Sequence, residues 1–141
     1  MLIQRTGNDS VAADTLVTDH RMLHNQKIYI AGGSPFRFRL ENLSGEIADT
    51  IHITEVESAT TEKLVKAVSE GKIKYTICDE LQARKLSAQY SNIDFSVPVG
   101  FNQHFCWAVD KKSLRLLHEI NEFLNDFLQS DDYWNIYRKY Y

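Results

Sequence analysis

A chain of 141 residues, with 16 lysines and arginines against 19 aspartates and glutamates and a formal net charge of −3, is long enough to bury a core as one domain. It carries no basic stripe for a phosphate backbone, which argues against a nucleic-acid partner. Its apolar runs are only a few residues long, far short of the roughly twenty that cross a bilayer, so the chain as it stands reads as soluble. Met1–Ser10 lacks both the charged and the apolar region of a signal peptide, although a chain can begin downstream of a signal or an anchor.

Leu2–Arg5 reads as an opening strand outside the main pattern, and Asn8–Asp19 as a polar loop without periodicity. His20 and His24 beside that loop have the i,i+4 spacing of a metal pair, but no third ligand accompanies them, so solvent exposure is expected and no metal is. Apolar alternation at Ile28 and Ile30, at Ile51 and Ile53, at Ile73, Tyr75 and Ile77, and at Ile93, Phe95 and Val97 predicts four strands. Between them, Phe36, Leu40, Leu43 and Ile47 form one helical stripe, Leu64, Ala67 and Val68 a second that Gly71 stops, and Ala83, Leu86 and Tyr90 a third. This β-α-β-α-β-α-β order predicts an open, mainly parallel, doubly wound α/β sheet with helices on both faces. Phe105–Val109 reads as a late strand, expected to lie antiparallel beside Leu2–Arg5 as a pair of hinge strands. Two helices follow, one with Leu114, Leu117, Ile120, Leu124 and Phe127 on one side and one over Tyr133–Tyr141 opened by Asp131 and Asp132, acids that suit a helix N-terminus. The expected organisation is a single domain with hinge strands at about 1–6 and 101–110, a core at about 26–100 and closing helices at about 113–141.

In an open parallel sheet, ligands bind beyond the carboxyl ends of the strands. Gly32-Gly33-Ser34 stands after the first predicted strand, Asp79 after the third. The glycines let the backbone approach a ligand, and Ser34 adds a hydroxyl at a helix N-terminus that favours a carboxylate. Asp79 offers a fixed negative charge for an ammonium group and is expected at a solvated rim. Together, Gly33, Ser34 and Asp79 suggest a zwitterionic ligand. Each also has a plain reading, the first as a strand-to-helix turn and Asp79 as a helix N-cap.

Cys78 and Cys106 stand in no CxxC or metal-ligand spacing and read as small hydrophobes, with a single bridge between them open in an oxidising compartment. His104 and Cys106 share a face of the late strand, which leaves a remote Cys-His hydrolase reading, but nothing marks the thiol as activated. The aromatic group Tyr133, Trp134, Tyr137, Tyr140 and Tyr141 reads as helix packing or cover for a neighbouring domain before it reads as a sugar platform.

The run Lys27-Ile-Tyr-Ile-Ala-Gly-Gly-Ser34 and the run Leu64-Val-Lys-Ala-Val-Ser-Glu-Gly-Lys-Ile-Lys-Tyr-Thr-Ile-Cys-Asp79 resemble the second lobe of the family 3 extracellular (periplasmic) solute-binding proteins. So do Cys106-Trp-Ala-Val-Asp-Lys-Lys-Ser, Ile120-Asn-Glu-Phe-Leu and Tyr133-Trp-Asn-Ile-Tyr-Arg-Lys-Tyr-Tyr, so that the likeness runs from Gln26 nearly to the end. Val97-Pro-Val-Gly-Phe-Asn-Gln and Trp107-Ala-Val-Asp-Lys are most similar to the regulatory module of the membrane-bound lytic murein transglycosylases. The resemblance implies one lobe of a two-lobed binding fold, with Ser34 on a ligand carboxylate and Asp79 on its α-amino group. It departs at Lys74, where the family carries an aspartate.

The implied partners are an amino acid or muropeptide, a first lobe absent from this chain, a C-terminal transglycosylase domain, and a second copy through the exposed lobe face. The implied place is the periplasm, with outer-membrane anchoring in the parent protein. No cofactor and no reaction are expected of the chain. An interaction-only domain would keep the fold and leave the strand ends empty.

Overall fold

The computed structural model describes residues 1–6, 16–100 and 106–140, and the chain divides into two compact units, 1–101 and 102–141. The first unit holds β1 (Leu2–Arg5), β2 (Lys27–Ala31), α1 (Phe36–Glu46), β3 (His52–Val56), α2 (Thr61–Ser69), β4 (Tyr75–Ile77), α3 (Glu80–Ser87) and β5 (Ile93–Asp94). Its strands make one five-stranded sheet in the order β3-β2-β4-β1-β5. β2 runs parallel to β3 and β4, whereas β1 runs antiparallel to β4 and β5.

Side-chain alternation sorts the strands into two faces. Leu2, Ile28, Ile30, Tyr75 and Ile77 meet Leu40 and Leu43 of α1, together with Val17, Leu23, Val97 and Val99. On the other face, Ile3, Cys78 and Ile93 meet Val65 and Val68 of α2 and Ala83 and Leu86 of α3. The two crossovers from β2 to β3 and back to β4 therefore use opposite faces, as a right-handed connection requires when the chain reverses direction along the sheet. The doubly wound α/β class expected from the sequence is the one observed.

Two expectations are corrected. The fourth predicted strand shrinks to Ile93–Asp94 and pairs with β1 instead of joining the parallel set, because β1 already lies along the free edge of β4, with Leu2 opposite Ile77 and Gln4 opposite Tyr75. Phe95 and Val97 lie beyond that strand, where the Val97 carbonyl still accepts the Leu2 N–H at 2.9 Å. The late hinge strand is absent over Cys106–Val109, and its first residue, Phe105, lies outside the described residues. β1 itself is an inner strand of the sheet, with β4 on one edge and β5 on the other.

Gln4 is the polar residue that this placement buries. Its side chain substitutes for a neighbouring strand: Nε2 donates to the Val17 carbonyl at 2.7 Å and to Asp94 Oδ2 at 2.9 Å, while Oε1 accepts the Val17 N–H at 2.9 Å. Each buried polar atom is thereby satisfied.

The second unit contains α4 (Leu114–Phe127) and α5 (Asp131–Tyr140), and no residue of either helix is buried. Ser130 joins them, its Oγ accepting the Tyr133 N–H at 3.3 Å in the manner of an N-cap. Phe123 and Phe127 stack at 5.2 Å, Phe127 meets Tyr133 edge-on at 5.9 Å, and Tyr133 contacts Trp134 and Tyr137. The aromatic group of α5 thus packs against its own helix and the end of α4, with Trp134 and Tyr140 left exposed. Tyr141 lies outside the described residues.

Candidate functional site

β2 and β4 are parallel neighbours, with Ile28 opposite Tyr75 and Tyr29 opposite Thr76. Thr76 ties them further by donating its hydroxyl to the Tyr29 carbonyl at 2.7 Å. Their carboxyl ends leave the same edge of the sheet, one strand spacing (about 4.8 Å) apart. The connection after β2 goes outward to β3 over one face and the connection into β4 returns over the other, so the crevice between these two ends is the point where winding reverses. Gly33 and Ser34 stand on one side of it and Asp79 on the other.

The turn after β2 is built for close backbone approach. Gly33 adopts φ +71°, a left-handed conformation that favours glycine. A Cβ on Gly32 would sit 3.2 Å from Glu57 Oε2, so the glycine leaves room for that side chain. Ser34 donates its N–H to the Ala31 carbonyl at 3.1 Å and accepts the Phe36 N–H on Oγ at 3.3 Å. The plain reading of Ser34 as a turn residue is therefore realised, and its hydroxyl retains a proton to donate.

Asp79 caps α3. Its backbone is extended and Oδ1 accepts the Gln82 N–H at 2.9 Å, whereas Oδ2 makes no hydrogen bond among the described residues. The side chain is half-buried and its carboxylate holds the helix N-terminus.

Sequence reasoning did not find the carboxylate that lies on the turn. Gly33 donates its N–H to Glu55 Oε2 at 3.2 Å, and Arg37 Nη1 donates to Glu55 Oε1 at 2.6 Å while its Nε reaches Glu41 Oε1 at 3.0 Å. The Arg37 guanidinium, and after it the Gly33 N–H, hold the Glu55 carboxyl below the usual carboxylate range. The one signal in the sequence was Arg37 and Glu41 at i,i+4 spacing, beginning three residues after Ser34.

The remaining candidates stay apart. His20 lies 3.8 Å from Asp19, and His24 lies 3.7 Å from Asp49, on exposed side chains that do not converge. Among the described residues no group of three His, Cys, Asp or Glu side chains is arranged to hold a metal ion. Neither Cys78 nor Cys106 is joined in a disulfide. Burial pushes the Cys78 thiol up to about 12, which keeps it protonated and inert at neutral pH. His104 lies outside the described residues, and the exposed Cys106 lies in no strand. Lys74, at the position where the sequence departs from the family pattern, places its ammonium 5.4 Å from the centre of the Tyr75 ring.

No family model matches the chain. By sequence it is 26% identical over 119 residues to membrane-bound lytic murein transglycosylase F of Desulfosudis oleivorans, over 84% of this chain and 26% of that protein. The chain spans only about a quarter of the length of the curated relatives it matches. By structure it superposes over 99% of its length on 58% of an ancestral arginine-binding protein bound to arginine, with a TM-score of 0.70 and 17% identity. It likewise superposes over 99% of its length on 60% of an arginine transport-system periplasmic binding protein from Legionella pneumophila, with a TM-score of 0.65 and 15% identity. The fold is thus that of one lobe of a periplasmic binding protein, and the sequence is similar to part of membrane-bound lytic murein transglycosylase F.

Proposed function

We propose that this chain is the ligand-sensing lobe of a two-lobed binding module, taking a small zwitterion such as an amino acid or a cell-wall peptide in the crevice between β2 and β4. The observation that carries the reading is the delivery of Ser34 and Asp79 from adjacent parallel strands at the point where the sheet reverses its winding. Ser34 Oγ and the turn N–H groups would take the carboxylate, and Asp79 Oδ2 the ammonium. In the parent protein the lobe would regulate an adjoining lytic murein transglycosylase domain in the periplasm, with outer-membrane anchoring supplied outside this chain. The similarity to transglycosylase F supports that context. The role of the lobe itself is binding, not catalysis.

A single lobe supplies part of the contacts and closes over nothing. Its affinity should therefore be weak, with a Kd near or above about a millimolar, or only ~4 kcal/mol. With the first lobe present, hinge closure should tighten binding. The test is calorimetry on the two-lobed protein with a panel of amino acids and muropeptides, repeated on Asp79→Asn and Ser34→Ala. Asparagine caps a helix as well as aspartate does but cannot pair with an ammonium, so Asp79→Asn should weaken binding roughly tenfold or more while the lobe stays folded. Unchanged affinity in both variants would overturn the site assignment and leave an interaction-only domain as the better reading.

A further inference from the structure

We propose that Glu55 is a built-in competitor: its carboxylate fills the position that a ligand carboxylate would take at the β2–α1 turn and has to swing away before one binds. This rests on the reading of that turn as a carboxylate site. Three observations support it. Each oxygen of Glu55 has its own donor, the Gly33 N–H at 3.2 Å on Oε2 and Arg37 Nη1 at 2.6 Å on Oε1, which is the arrangement a free carboxylate would adopt there. The donors do not depend on Glu55 for their placement. Gly33 is fixed by its turn, and Arg37 has a second anchor in Glu41 at 3.0 Å. Finally, Glu55 reaches the turn from the next strand, since the β2–β3 register sets Glu55 opposite Ile30, and its side chain alone can leave without disturbing the sheet.

The competition should be mild. The Glu55 side chain is 25% exposed and that of Arg37 55%, so the pair sits in solvent-screened surroundings. Surface ion pairs of this kind shift equilibria by about two- to fivefold. Glu57, whose carboxylate overlies Gly32, adds a second negative charge near the turn but makes no hydrogen bond to it among the described residues.

Acetate is a sufficient probe, because it carries the carboxylate and lacks the ammonium. Titrated into the ¹⁵N-labelled chain, it should shift the Gly33 amide and Arg37 Nε resonances, with a Kd about two- to fivefold lower in Glu55→Ala than in the unaltered protein. Arg37→Ala in the Glu55→Ala background should abolish that gain. Glu57→Gln, which removes a nearby charge without vacating the position, should give a smaller gain. Equal acetate response with and without Glu55, no response in either, or a gain in Glu57→Gln as large as in Glu55→Ala would overturn the proposal. The outcome is separable from the site assignment. A flat acetate result alongside weakened amino-acid binding in Ser34→Ala and Asp79→Asn would remove only the competitor, whereas a Glu55-dependent acetate response with Asp79→Asn unaffected would keep it and remove the zwitterion site.

Discussion

Asp79 gives one carboxylate oxygen to the Gln82 N–H, and the other is the one proposed for a ligand ammonium. On that proposal, substitutions there act on stability and binding together, and they separate by chemistry. Asp79→Ala should cost about 1 kcal/mol of stability through loss of the cap, whereas Asp79→Asn should be near neutral, as urea unfolding of the two variants would report. Glu55 supports a prediction in acid. Its folded carboxyl is held below the ordinary range, so the contribution of its contacts to stability is complete above the unfolded glutamate value and is lost as pH falls through the lower folded one. The Gly33 amide resonance should therefore move in a titration centred below that of an unperturbed glutamate, with Arg37, Glu41 and Glu57 as its charged neighbours. A midpoint at the ordinary value would show that the contact does not form in solution. The places of Ser34 and Asp79 after β2 and β4 were legible in the sequence because apolar runs mark those two strands. Glu55 was not, because its partner on α1 is set by the strand register, which spacing along the chain does not reveal.

Two glycines separate helix propensity from backbone conformation at the level of elements. Gly45 lies within α1, with open space where a Cβ would go, so Gly45→Ala should stabilise by about 0.5 kcal/mol or somewhat more. Gly71, after α2, has φ +72° and would bring a Cβ to 3.3 Å from the Arg5 guanidinium carbon. Gly71→Ala should therefore destabilise by about 1 kcal/mol, and opposite signs in thermal unfolding would check both. Gln4→Ala should cost more, about 2 kcal/mol, because it strands the buried N–H and carbonyl of Val17. The helices and the three parallel strands were readable because their apolar spacing follows the period of each element. The placement of β1 was not. Its four residues fit either a hinge or an inner strand, and the choice is made by the free edge of β4, a tertiary fact.

At the scale of the whole molecule, the distribution of burial sets the two units apart. Both hydrophobic clusters, from Leu2 to Val99, are made entirely of residues in the first unit. The second has an α4 on which Leu114, Leu116, Leu117 and Phe123 are all exposed and nothing is buried. Helices of 14 and 10 residues are too short to be stable in water by propensity alone, so packing has to supply their stability. A chain ending at residue 100 should accordingly keep one cooperative urea transition, with a slope of about 1–3 kcal/mol/M and its two-sided core intact. A peptide covering residues 106–141 should show fractional helicity that falls gradually on heating, with no sigmoidal transition in circular dichroism. A broad, non-cooperative transition in the shorter chain would mean that the second unit completes the core of the first. In that case the exposed face of α4 would belong to the folding unit, and the division at residue 101 would not mark an energetic boundary.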